Sequence, residues 1–106
     1  MLSQPASQEV VEWSRSVSML ANLKATLACA QAFSSTDFRP DLSSFKVPTL
    51  IIHGTEDKTV PIDASARAAA KGISHAKLIE YQDAPHGLLV TEKQRFTRDL
   101  LAFLRD

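Results

Sequence analysis

Val47 to Pro61 reads VPTLIIHGTEDKTVP, and its middle divides two kinds of chain. The first half is an apolar, β-branched run stopped by glycine, the pattern of a strand buried on both faces. The second half, TEDKTVP, is a polar loop closed by proline. Downstream, IDASARAAAKG (residues 62–72) predicts a helix, with Pro61 near its start and Gly72 past its end. Asp63 is the capping candidate there, and the alanine-rich ASARAAA suits a tightly packed helix. AKLIEY (76–81) predicts a second strand, and QDAPHG its exit loop. Thr91 followed by Gln94 forms a capping-box pattern, opening a helix with Phe96, Leu100, Phe103 and Leu104 along one stripe. Strand, helix, strand, helix, with crossovers of this length, implies an α/β fold with a parallel pair.

Upstream the texture is helical. Val10, Trp13, Val17, Leu20 and Ala21 recur at helical spacing from about Gln8. Asn22 is placed to cap a second helix carrying Leu23, Leu27, Ala30 and Phe33 on one face. SSTDFRPDLSSF (34–45) reads as a loop with a short helical turn after Asp41, and the internal boundary falls near residues 34 to 40.

Composition narrows the function classes. The chain has 106 residues, 44% of them apolar, so it holds at most one ordinary domain with enough apolar content for a core. Twelve basic and twelve acidic side chains cancel and neither sign clusters, which argues against nucleic-acid and anionic-membrane partners. A single cysteine, Cys29, excludes an internal disulfide and reads as a buried structural thiol. The N-terminus lacks a signal-peptide pattern, and the apolar runs fall short of a membrane span. The expectation is a soluble, cytoplasmic chain.

The candidate chemistry follows from topology. Parallel strands place their C-terminal ends on one sheet edge, where open α/β sheets gather ligands. The loops HGTEDKTVP and DAPHG leave those two ends, so Asp57 and His86 project to the same edge. A carboxylate beside a histidine fixes its tautomer and stabilises the imidazolium formed on proton abstraction. Taken singly, each residue has a plainer reading: His86 as a loop histidine bonded to backbone, Asp57 as a turn former. His53 reads as a strand-end hydrogen-bonder rather than a ligand. Nothing in the spacing of His53, Asp57 and His86 recommends a metal, and no cofactor is called for.

PTLIIHGTEDKTVPI, YQDAPHGLLVT and DLLAFL together resemble the C-terminal end of an α/β-hydrolase, closest to the cofactor-free haloperoxidase and aryl-esterase branch. TDFRPDL and APHG match loops of that branch, and the resemblance runs from about Gln8 onward. It implies that residues 1–35 are helices derived from the cap over the substrate pocket. Residues 36–106 would be the C-terminal strand-helix-strand-helix portion of the core sheet. It implies Asp57 as triad acid, His86 as general base, and Phe33, Thr59 and Val60 as substrate-lining positions. For Phe33, packing and substrate contact stay equally open. The implied activity is hydrolysis of a small-molecule carboxylic ester, with perhydrolase or haloperoxidase side activity.

The family's nucleophile sits in a G-x-S-x-G elbow between a strand and a helix. The three glycines, Gly54, Gly72 and Gly87, form no such motif. GISHA (72–76) holds Ser74, but Ala76 replaces the last glycine and the run leads from helix into strand, the reverse of the elbow. The simplest reading is therefore a C-terminal fragment that does not turn over substrate alone. The alternative is a non-catalytic module, self-associated through the open edges of a two-stranded sheet.

Overall fold

The computed structural model describes residues 5–106: residues 6–38 form one compact unit, and residues 39–106 with Pro5 form the other. The first holds two helices, α1 (Gln8–Met19) and α2 (Leu23–Ser35). Each begins where a side chain satisfies an otherwise orphaned amide. Ser7 Oγ accepts from the Val10 N–H at 3.2 Å, and Asn22 Oδ1 accepts from Ala25 N–H at 3.2 Å, the cap expected from the sequence. Neither helix buries a residue. The apolar stripes are therefore exposed, with Trp13 at 68% and Phe33 at 78%. Cys29 is exposed with them, which corrects the expectation of a buried thiol: α2 has no buried face for it to join.

The second unit opens with a 3-10 turn, Arg39–Ser44, which begins ahead of the turn expected after Asp41. Strand β1 (Thr49–Gly54) pairs in parallel with β2 (Ala76–Tyr81), in register from Thr49 opposite Ala76 to Gly54 opposite Tyr81. The crossover runs through a 3-10 turn, Ile62–Ala64, and helix α3 (Ala66–Gly72). Ser65 separates these two, so the expected single helix is broken. Asp63 caps nothing; its carboxylate instead meets Arg67 Nη1 at 2.7 Å, and Arg67 also binds Glu80 on β2. Gly72 is the last residue of α3 rather than the residue beyond it, and the space a Cβ would take is held by Leu42.

The core lies at the C-terminal end of β2. Tyr81, Ala84 and Leu88 are buried together, with Ile52, Ile79 and Phe96 packed on them. β1 itself is only half-buried from Thr49 to His53, not buried on both faces. Among the described residues its sheet has two strands, so little covers its length.

The C-terminal segment differs from expectation in one further respect. Thr91 does not cap the last helix; it ends a short helix α4 (Leu88–Thr91), and α5 (Lys93–Arg105) follows after Glu92. A capping hydroxyl needs extended backbone at its own residue, whereas Thr91 N–H already bonds Gly87 O in the preceding turn. Its Oγ1 is buried without a hydrogen-bond partner. Helix α5 half-buries Phe96, Leu100 and Phe103, while Leu104 is 68% exposed. Its seat on β2 is polar as well as apolar: Tyr81 O–H donates to Asp99 Oδ2 at 2.6 Å, and Arg95 lies 3.9 Å over the tyrosine ring.

Candidate active site

The loops leaving β1 and β2 lie on one edge of the sheet and are stitched together by backbone. Thr55 N–H donates to Tyr81 O, and Glu56 N–H to Ala84 O, each at 3.0 Å. Asp83 N–H donates to Thr55 Oγ1 at 2.8 Å from a left-handed conformation, φ 61°, which aspartate tolerates better than most residues. Gly54 makes this approach feasible. A Cβ there would stand 2.1 Å from Ala84 O and 2.9 Å from Pro85 O.

Asp57 and His86 meet across this stitched edge. His86 Nδ1 lies 2.7 Å from Asp57 Oδ2, hydrogen-bond distance, with the carboxylate as acceptor. The other carboxylate oxygen, Oδ1, accepts from the backbone N–H groups of Val60 at 2.8 Å and Thr59 at 3.0 Å. The Asp57 side chain is 4% exposed, that of His86 58%. Burial alone would raise the Asp57 carboxyl. The Val60 amide, the His86 ring and the Thr59 amide outweigh it and hold the group below the usual carboxylate value. A buried, ionised acid thus faces an imidazole whose ring is open to solvent. With Nδ1–H given to Asp57, Nε2 of His86 carries the lone pair and can accept a proton.

The expected site residues separate here. Asp57 and His86 are in contact. Thr59 and Val60 serve the carboxylate through their backbone N–H groups, a function that their side-chain identity does not announce. Phe33 belongs to the other compact unit, exposed on α2. Ser74 precedes β2, at the edge opposite the Asp57–His86 pair. One residue contributes beyond expectation. His53 bonds at the strand end as foreseen, its Nε2 lying 2.8 Å from Val60 O, but the same nitrogen stands 3.3 Å from Asp57 Oδ2. The four-residue spacing of His53 and Asp57 across a turn was the available signal.

A sequence profile described as the alpha/beta hydrolase fold matches residues 18–93. This chain belongs to the α/β-hydrolase family. Within it, the α/β-hydrolase chain resembles the haloperoxidase branch. It is 41% identical over 90 residues to a non-heme chloroperoxidase of Kitasatospora aureofaciens, covering 83% of this chain and 33% of that protein. It is also 41% identical to a bifunctional esterase/perhydrolase of Acinetobacter calcoaceticus, covering 91% of this chain and 34% of that one. Its structure superposes on the bromoperoxidase from Bacillus anthracis with a TM-score of 0.89 at 41% identity, over 94% of this chain and 36% of the other. The chain thus spans about a third of the length of these relatives. Among the described residues, no helix is long and apolar enough to cross a membrane.

Proposed function

We propose that this chain supplies the acid and the general base of a serine hydrolase that cleaves small carboxylic esters. The carrying observation is the 2.7 Å contact between His86 Nδ1 and Asp57 Oδ2, with the second carboxylate oxygen clamped by two amides. In the complete fold, a serine hydroxyl would approach Nε2 of His86. As its oxygen attacks the ester carbonyl, the proton passes to Nε2 and the alkoxide later leaves with that proton. His86 then deprotonates water to release the acid, or hydrogen peroxide to release a peracid, which gives a perhydrolase side activity. Asp57 stays ionised and holds the imidazolium in place. The chemistry needs no cofactor. Residues 1–35 would descend from the cap and residues 36–106 from the core.

The test is a chimera. Fused in frame to the part of the Bacillus anthracis bromoperoxidase that precedes the matched region, the chain is expected to hydrolyse p-nitrophenyl acetate. His86→Ala should abolish that activity, and the chain alone should stay at background. A folded chimera with hydrolysis unaffected by His86→Ala would refute the reading. A second reading, a self-associating module, is favoured by the exposed apolar side chains of α1 and α2, Met19 at 79% and Leu23 at 73%. Sedimentation velocity separates the two, since a monomer at micromolar concentration counts against the module.

A further inference from the structure

His53 has no part in the proton relay described above, yet its ring nitrogen shares an oxygen with it. Asp57 Oδ2 receives Nδ1–H of His86 at 2.7 Å and is faced by Nε2 of His53 at 3.3 Å. The same Nε2 lies 2.8 Å from Val60 O, and Val60 N–H is bound to Asp57 Oδ1 at 2.8 Å. Val60 O is a carbonyl and can only accept, so Nε2 must carry the hydrogen, which fixes the tautomer. The side chain of His53 is 14% exposed, and that of Asp57 4%, so water competes little for either contact. These contacts close a ring: imidazole to Val60 carbonyl, Val60 amide to carboxylate, and carboxylate facing the same imidazole N–H.

We infer that His53 is a positioning residue for the acid: its Nε2–H ties the 53–60 loop to its strand and presents a positive edge to Oδ2. The inference rests on the assignment of Asp57 and His86 as acid and base. Without His53 the Asp57 carboxylate would keep its two amides on Oδ1, but Oδ2 could swing, since Val60 would lose its tether to β1. The contacts of His53 run to Val60 O and Asp57 Oδ2, not to Nε2 of His86. His53 acts on the orientation of the group that orients His86.

The experiment is nitrogen-resolved NMR of the imidazoles in the 106-residue chain, at mildly alkaline pH where an ordinary histidine is neutral. In the wild type, His53 is expected as the Nε2–H tautomer, and His86 with a downfield Nδ1–H that vanishes in Asp57→Asn. His53→Phe should lose that His86 resonance. His53→Gln, whose amide nitrogen can still donate to Val60 O, should restore it. If His53 has no hold on the acid, the His86 signal stays in place in folded His53→Phe. That outcome overturns the inference, as does an Nδ1–H tautomer at His53 in the wild type. The tautomer needs no variant, so it can overturn the inference even where His53→Phe does not fold. Absence of the Asp57-dependent His86 signal in the wild type would instead refute the acid–base pair itself.

Discussion

Gly54→Ala isolates the contact on which the candidate site depends. The Cβ would sit 2.1 Å from Ala84 O and 2.6 Å from Ala84 C, and both are backbone atoms that no rotamer change can move aside. Restoring an ordinary 3.4 Å separation requires about 1.3 Å of movement between the two loops. Ala84 O is also the acceptor of the Glu56 N–H, so that bond is strained first. If His86 moves with its loop, its 2.7 Å contact with Asp57 lengthens to about 4 Å, beyond hydrogen-bond reach. The stability cost expected for such overpacking is about 1–3 kcal/mol. In a chimera that turns over, a displacement near 1 Å should lower kcat about 100-fold. The assay combines urea denaturation, amide exchange at Glu56 and the His86 Nδ1–H resonance. The control is Gly87→Ala, beside His86 itself, where a Cβ meets nothing within 4 Å. An unchanged midpoint together with an intact His86 signal in Gly54→Ala would show that the loops do not depend on this close approach.

Four further expectations follow from the same structure. Gly87→Ala should be neutral or stabilise by about 0.4–1 kcal/mol, because alanine has less unfolded freedom to lose, and chemical denaturation measures it. The Asp57 carboxyl titrates below the ordinary 3.8, so its contribution to stability is fully present above pH 3.8 and is lost as pH falls through the lower folded value. The carboxyl-carbon NMR shift of Asp57 follows this, and a midpoint above 3.8 contradicts it. Burial and the neighbouring Asp99 push the Tyr81 phenol up, so phenolate absorbance should appear only at a higher pH than in the urea-unfolded chain. Tyr81→Phe should cost about 1 kcal/mol in a urea titration, by removing the hydrogen bond to Asp99 that seats α5.

Much of this architecture was legible in the linear order of residues. Apolar runs ended by Gly54 and Tyr81, joined by a crossover too long for a hairpin, imply parallel strands with exits on one edge. Asp57 and His86 follow onto that edge by position alone. Asn22 announced its helix because capping is a contact between near neighbours. The misplaced features share a cause. Thr91 fits a capping-box pattern, but the chain is already helical there through Gly87, a fact set by how α4 leaves the loop. Cys29 and the α1 and α2 stripes have the periodicity of buried faces. Periodicity states which residues share a face, not whether anything covers it.

By itself, then, the order of side chains determined the element types, the strand direction and the edge on which Asp57 and His86 emerge, since these depend on local periodicity and chain length. The folded molecule decided the finer matters. The 2.7 Å contact, the two amides beneath Asp57, the glycine gap at Gly54 and the second imidazole at Oδ2 depend on which atoms of separate segments come within a few ångströms. Distances of that size are fixed by packing between loops, and no pattern along one segment records them.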